Sequence, residues 1–298
     1  MSASPVSTRA TLIGTGALLL WSTLAVLTAL ARAIPPLEMV AVAFAVASML
    51  GLAKWLVRGE SIGRRLRVPL GAWLLGVGGL FGYHFLYFSA LRLAPPVEAN
   101  LLNYLWPLLI VLFSALLPGE KLAARHVGGA LCGLAGAVLL IGGHGARFAP
   151  NFATGYVAAL GCGTIWAAYS VANRRYREVP SDAVAGYCAA TALLAALCHA
   201  AFESSVTPRG WDWAILLAMG LGPAGAAFYA WDHGCKHGDI RALGTLAYAV
   251  PLLSNGLLIA AGRGVLDWRI AAAAALIVGG AALGVGARRP ATAPDSSR

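Results

Sequence analysis

Residues 100–107 read Asn-Leu-Leu-Asn-Tyr-Leu-Trp-Pro, near the middle of an apolar run. The run is long enough to cross a bilayer, for which about 20 residues are needed. Asn100, Asn103/Tyr104 and Pro107 are spaced as i, i+3/i+4 and i+7, so they share one helix face and Trp106 points away from it. Pro107 lacks an N–H and frees the carbonyl of Asn103. Unpaired polar groups are costly in hydrocarbon unless they meet protein, water or a solute, so this face predicts the wall of a solute pathway. The alternative is a proline-kinked helix packed against its neighbours.

The composition places the whole chain in a membrane. Of its 298 residues 59% are hydrophobic and 11% are charged, which is about half the charged share of a soluble protein. Ten apolar spans can be drawn, at about 10–31, 36–57, 69–91, 96–117, 124–142, 153–173, 183–202, 211–231, 241–261 and 269–287. We number them one to ten. The sequence therefore predicts an all-α, polytopic membrane protein with ten transmembrane helices that contacts the lipid bilayer.

The distribution of positive charge predicts the orientation. With the N-terminus in the cytoplasm, 16 of the 22 Lys and Arg residues fall in inner segments and 6 in outer ones. Such an excess favours cytoplasmic location of both termini. The same loop charges explain the net charge of +10, and no basic patch interleaved with aromatic residues indicates a nucleic-acid partner.

An internal repeat relates the two halves of the chain. A shift of 144 residues superimposes landmarks without a gap, among them Pro36 on Pro180, Glu38 on Asp182, Tyr104 on Tyr248 and Pro107 on Pro251. The repeats are residues 1–148 and 149–298, with five spans each. Five is an odd number, so the second copy crosses the membrane in the opposite sense. This inverted arrangement is typical of secondary transporters, which hold their substrate between the repeats near the midplane.

Polar and aromatic residues on several spans are the candidates for the pathway wall. The predicted substrate-binding residues are Trp21, Ser22, Tyr83, His84, Asn100, Asn103, Tyr104, Trp166, Tyr169, Tyr229 and Tyr248, and the predicted hinges are Pro107 and Pro251. A wall of this kind suits a flat aromatic solute through stacking, with amides and freed carbonyls for an ammonium group. Indole and phenol faces suit an organic cation as well, which is the alternative substrate. His84 could instead be a structural, hydrogen-bonded ring.

Other kinds of chemistry find no support in the sequence. Every carboxylate lies at a span end or in a loop, which disfavours a buried acidic relay and an intramembrane aspartyl protease. No P-loop is present. We expect no enzymatic activity, no catalytic residue and no cofactor. The five cysteines match no disulfide framework, and the His/Cys/Asp group at residues 231–239 matches no zinc spacing, so we expect no metal site.

Glycine patterns in spans five and ten predict close helix packing. Gly128/Gly129, Cys132/Gly133 and Gly136 line one face of span five, and Gly279/Gly280 and Gly284 do the same in span ten. Small residues at four-residue spacing let helices approach closely. We expect these faces to pack within a monomer; contacts within a dimer are the alternative.

Three stretches resemble a known family. They are R-A-T-L-I-G…L-L-L-W-S-T at 9–23, A-L-R-L-A-P-P-V-E-A-N-L-L-N-Y-L-W-P at 90–107 with G-E-K at 119–121, and I-W-A-A-Y-S-V-A-N-R-R-Y at 165–176. Together they resemble the drug/metabolite transporter superfamily with two EamA-type repeats, and within it the YddG-type aromatic amino acid exporters of bacterial inner membranes. The likeness covers essentially the whole chain. The G-E-K turn has no acidic counterpart in the second repeat, so Glu120 is interpreted as a turn or loop-charge residue.

The resemblance implies a basket of ten helices that opens alternately to each side. It implies helices one, three, four, six, eight and nine around a central cavity. It also implies export of Phe, Tyr, Trp or analogues, with aromatic cations such as viologens as the alternative cargo.

Overall fold

The computed structural model describes residues 6–31, 33–118, 122–142, 145–263 and 265–285. Within these ranges the chain forms helices and their connections, without a β-strand. Nine of the predicted spans are helical segments long and apolar enough to cross a membrane, and the tenth is a shorter apolar helix. The predicted all-α, polytopic class is therefore confirmed. Glu120 lies outside the described residues.

Short connections join the ten spans. Their helices are, in order, Thr8–Ser22 with Leu24–Leu30, Pro36–Val57, Leu70–Leu93, Pro96–Asn103 with Trp106–Phe113, Ala124–Gly142, Ala153–Ala172, Val184–Phe202, Trp211–Leu221 with Ala227–His237, Ile240–Leu246 with Ala249–Ala260, and Trp268–Val285. A four-residue helix, Ile62–Arg65, lies between spans two and three, and short 3₁₀ turns occur at Ser114–Leu116, Pro150–Phe152, Asn173–Tyr176 and Ser181–Ala183.

Spans four and nine are each broken at equivalent positions. Span four stops at Asn103 and restarts at Trp106, and span nine stops at Leu246 and restarts at Ala249. In each case a proline stands just inside the second helix and removes a backbone donor. The break changes the phase of span four, and our expectation that Trp106 points away from the pathway face is wrong: its side chain lies in the central cavity.

Spans one and eight are interrupted without a counterpart in the other repeat. Span one is interrupted at Thr23, where the hydroxyls of Ser22 and Thr23 donate to the carbonyls of Leu19 and Leu20 at 2.6 and 2.7 Å. Such back-bonding bends helices. Span eight contains a π-helical turn, Gly222–Ala226, and π-bulges often occur at functional sites.

Helix pairing links one repeat to the other. The most extensive contacts join spans one and eight, three and six, two and seven, and five and ten. When each span is replaced by its equivalent in the other repeat, the pair of spans one and eight becomes the pair of spans six and three. The pairs two and seven, and five and ten, map onto themselves. The glycine faces explain the last one: a methyl group added at Gly129 would lie 2.5 Å from the carbonyl oxygen of Gly280. The close packing expected of these glycines thus occurs within one chain.

Spans two and seven are tied at both ends. At one end the Asp182 carboxylate accepts hydrogen bonds from Lys54 Nζ at 2.7 Å and Trp55 Nε1 at 3.1 Å. At the other end the Leu37 N–H donates to the Glu203 carboxylate at 3.1 Å, and Glu38 Oε2 lies 3.7 Å from His199 Nε2. The 144-residue shift carries Glu38 onto Asp182 and Trp55 onto His199, so the two ties are repeat-related.

Candidate solute cavity

A cavity of about 690 Å³ lies between the repeats. This volume is typical of small-molecule sites. Its wall comes from spans one to four, six, eight and nine, with Ile141 of span five. We call the end of the bundle that contains Ala29, Leu91 and Leu258 the open end. There a second cavity of about 710 Å³ shares Ala25, Ala29 and Leu258 with the first and reaches the exposed Arg263.

Tryptophans from three spans form the floor of the cavity. The ring centroid of Trp21 lies 5.5 Å from that of Trp166, 6.5 Å from that of Trp106 and 5.7 Å from that of Phe228. Trp231, fully buried, lies beneath them at 5.1 Å from Trp21. The packed indoles close the cavity on this side, and we call the far side the closed end.

Two hydrogen bonds hold the interrupted helices together at the floor. Trp21 Nε1 donates to the carbonyl of Pro223, inside the π-turn of span eight, at 3.0 Å. The hydroxyl of Ser254 on span nine donates to the carbonyl of Ser22, beside the break in span one, at 2.9 Å. The carbonyls near each interruption thereby gain partners on another span, as non-helical backbone in a membrane requires.

Tyrosines of span three pair with the two amides of the opening stretch. Tyr87 Oη donates to Asn100 Oδ1 at 2.9 Å, and Asn103 Nδ2 donates to Tyr83 Oη at 3.2 Å. Asn103 Oδ1 also accepts from Cys162 Sγ on span six at 3.0 Å. The two tyrosine rings are parallel, with centroids 5.9 Å apart. The result is a rigid polar wall that keeps hydroxyl groups at the cavity surface.

Three further polar groups face the cavity. His84 Nδ1 lies 2.7 Å from the carbonyl of Leu80, which places the proton of a neutral ring on Nδ1 and leaves Nε2 as an acceptor. Asn255 Nδ2 donates to the carbonyl of Pro251, so its Oδ1 stays available. The Tyr104 hydroxyl has no hydrogen-bond partner among the described residues and lines the cavity.

The structure brings some of the predicted site residues together and keeps others apart. Trp21, Tyr83, His84, Asn100, Asn103, Tyr104, Trp166 and Pro251 line the cavity. Ser22, Tyr169, Tyr229, Tyr248 and Pro107 do not.

The four hydroxyl-bearing residues outside the lining are hydrogen-bonded or packed elsewhere. The hydroxyls of Ser22 and Tyr229 donate to the carbonyls of Leu19 and Ala47. Tyr248 Oη accepts from the Leu108 N–H at 3.1 Å, across the break in span four. Tyr169 is 1% exposed, packs beside Gly79, and its hydroxyl has no partner in the described part of the chain.

The sequence interpretation missed span two as part of the wall. Met39, Val40, Ala43 and Phe44 all line the cavity. The Phe44 ring lies 5.0 Å from His84 and 5.3 Å from Phe228. None of these four side chains is polar, so a search for polar faces could not find them.

The closed end holds a buried ion pair. Lys236 Nζ lies 2.9 Å from Asp232 Oδ2, and the two residues are 2% and 0% exposed. Asn173 Nδ2 donates to Asp232 Oδ1 at 2.7 Å, and Lys236 Nζ donates to the carbonyl of Val179 at 3.0 Å. These bonds join span eight to span six and to the connection that follows it.

Comparison with known families gives the fold a context. The model of the EamA-like transporter family matches residues 8–142 and 153–285. The chain belongs to this family. The two matched segments contain spans one to five and six to ten.

Curated relatives share most of its length. The protein named aromatic amino acid exporter YddG of Ancylobacter novellus is 55% identical over 92% of this chain and 96% of its own. The proteins of the same name from Escherichia coli and Salmonella typhimurium are each 28% identical, over 84% of this chain and 87% and 88% of theirs. A protein of known crystal structure, 55% identical, superimposes with a TM-score of 0.90 over 93% of this chain and 96% of that chain.

Proposed function

We propose that this chain is a secondary transporter that exports aromatic amino acids across the bacterial inner membrane. The observation that carries the proposal is the cavity wall, which is aromatic, hydrogen-bonding and free of Asp, Glu, Lys and Arg within the described residues. A strongly charged solute would remain uncompensated there. The name shared by the three relatives points to the same substrate class.

The geometry suggests how such a solute lies. Its aromatic ring packs on the floor formed by Trp21, Trp106 and Trp166, where edge and face contacts are available. Its ammonium group finds acceptors at His84 Nε2 and Asn255 Oδ1. Its carboxylate accepts from the hydroxyls of Tyr83 and Tyr104, whose protons are not donated to another described residue. Neutral partners hold both charges weakly, which suits a site that must release its cargo.

Alternating access supplies the transport mechanism. In our proposal ten helices cross the membrane as two inverted repeats, residues 1–148 and 149–298, with both termini in the cytoplasm. With both termini in the cytoplasm, the open end lies on the periplasmic side, and the cavity faces the side to which the solute is released. The breaks at Tyr104 and Tyr248, each followed by a proline, are where we expect spans four and nine to bend between states.

Counterflow in proteoliposomes tests the proposal. Vesicles preloaded with unlabelled Phe should take up radiolabelled Phe or Trp transiently and with saturation, and protein-free vesicles should not. Absence of saturable flux for every aromatic amino acid would refute the substrate assignment.

The alternative cargo, an aromatic cation, is tested in the same vesicles. No carboxylate among the described lining residues balances a permanent cation, so methyl viologen should compete with Trp weakly. Competition at concentrations equal to those of Trp itself would favour drug efflux instead.

A further inference from the structure

Two helix faces begin at the cavity floor and continue into the closed end. On span eight Phe228 lines the cavity, and Asp232 and Cys235 follow at i+4 and i+7. On span six Trp166 lines the cavity, and Asn173 follows at i+7. Residues at these spacings share a face, i+4 about one helical turn of 5.4 Å away and i+7 about two turns away. Each face therefore extends the pathway beyond the point where the indoles close it.

The internal repeat shows what these faces become in the opposite state. A shift of 144 residues carries four wall residues of the open cavity onto buried residues of the closed end: Ala25 onto Tyr169, Ala29 onto Asn173, Phe88 onto Asp232 and Leu91 onto Cys235. In an inverted-repeat transporter the two repeats exchange conformations between states. The buried set thus forms the wall of a second vestibule when the bundle opens at the other end.

The two vestibules differ in chemistry. The open one is lined near its mouth by Ala29, Phe88 and Leu91. Its counterpart carries the Asp232–Lys236 ion pair, an amide, and the buried Tyr169 hydroxyl that has no partner among the described residues. A dehydrated ion pair contributes little net stability, because the cost of removing both charges from water offsets their attraction. Its position on a pathway face, rather than its contribution to stability, is what points to a role in binding.

We propose that Asp232 and Lys236 form the loading site for the amino acid in the cytoplasm-facing state. This inference rests on the proposed export function. When that vestibule opens, the α-ammonium of the solute binds the Asp232 carboxylate and its α-carboxylate binds the Lys236 ammonium. An amino acid carries its ammonium and carboxylate groups on the same carbon. When it binds between Asp232 and Lys236, each side chain exchanges its contact with the other for a contact with the oppositely charged group of the solute. At the equivalent positions the release side has Phe88 and the exposed Arg92, which form no such pair among the described residues, so capture is tight where the solute enters and weak where it leaves.

The direct test removes both charges together, so that no lone charge remains buried. The variant Asp232→Asn/Lys236→Gln is assayed in inside-out vesicles, with Phe added at the cytoplasmic face. We expect its half-saturation concentration to rise at least about tenfold, as loss of hydrogen bonds to charged groups predicts. In right-side-out vesicles, with Phe at the other face, it should change less than about twofold.

Analogues and a matched control separate binding from stability. Phenethylamine lacks the carboxylate and phenylpropionate lacks the ammonium; wild-type protein should prefer Phe to both as a competitor, and the variant should lose this preference. Glu60→Gln/Arg65→Gln removes the ion pair in the connection between spans two and three at the same end of the bundle, away from both pathway faces. It should keep the wild-type half-saturation and preference. An unchanged half-saturation in the first variant, or an equal rise in the control, overturns the proposal.

Cys235 gives a readout that needs no change at the ion pair. It is fully buried here and lies one turn beyond Asp232. Cys162 is replaced by Ser, which keeps a donor for Asn103, and the other three cysteines by Ala. Maleimide from the cytoplasmic side should then alkylate Cys235, and Phe should slow the reaction whereas phenylpropionate should not. A Cys235 that never reacts, or reacts equally with and without Phe, overturns the loading site. Wild-type protein without Phe flux would instead overturn the export function on which it rests.

Discussion

Tyr248 should stabilise the broken span four through a single hydroxyl group. The Tyr248 ring is fully buried, and its oxygen accepts from the Leu108 N–H at 3.1 Å. Tyr248→Phe keeps the ring and leaves that N–H without its partner. An unpaired buried donor costs about 1–3 kcal/mol. At roughly 2 °C per kcal/mol for a chain of this size, the midpoint of thermal unfolding in detergent should fall by about 2–6 °C.

The repeat supplies the matched control for this prediction. Tyr104 is the equivalent residue in the first repeat, and its hydroxyl faces the cavity without a partner among the described residues. Tyr104→Phe makes the identical chemical change and should leave the midpoint within about 1 °C, because substitutions that remove no contact have small effects. Both variants are heated at one rate, since membrane proteins often unfold irreversibly. Equal losses in the two variants would refute the capping role of Tyr248.

Three further variants test the packing, the floor and the hinge. Gly129→Ala should destabilise the fold by about 1–3 kcal/mol, because its methyl group meets the backbone of span ten. The control Gly128→Ala meets a single side chain and should be tolerated. Equal yields of folded protein from the two variants would contradict this prediction. Trp21→Phe removes the bond to the π-turn and should cost about 1 kcal/mol in unfolding assays, and no change would count against that bond. Pro107→Ala should slow counterflow more than it lowers folded yield; parallel losses would refute a hinge at Pro107.

The class of fold could be predicted from the sequence because membrane helices obey simple rules of length, charge and period. Apolar runs of sufficient length defined the spans, and the 144-residue shift related them. The wall of tyrosines and amides on spans three and four could be predicted for the same reason: polar side chains inside an apolar helix must meet a partner or a solute.

Other parts of the site depend on local backbone geometry that periodicity does not carry. The break before Pro107 turned Trp106 into the cavity, which an uninterrupted helix would not do. Tyr248 does not line the cavity as predicted, because its ring packs against Gly133 instead. A methyl group added at Gly133 would lie 2.5 Å from the Tyr248 ring. The equivalent of Gly133 in the second repeat is Ile277, so Tyr104 has no matching space. The sequence contained this signal, but only the structure shows which residues face each other.

The two ties between spans two and seven limit how the repeats can move. Sliding one helix along the other by a single turn would displace the contacts by about 5.4 Å and break both ties at once. Swinging about the line that joins the ties leaves both intact. The Asp182 contacts with Lys54 and Trp55, and the Glu38 contact with His199, therefore define a rotation axis. Rotation about this axis can widen one mouth of the bundle while it narrows the other, and spans two and seven stay in contact.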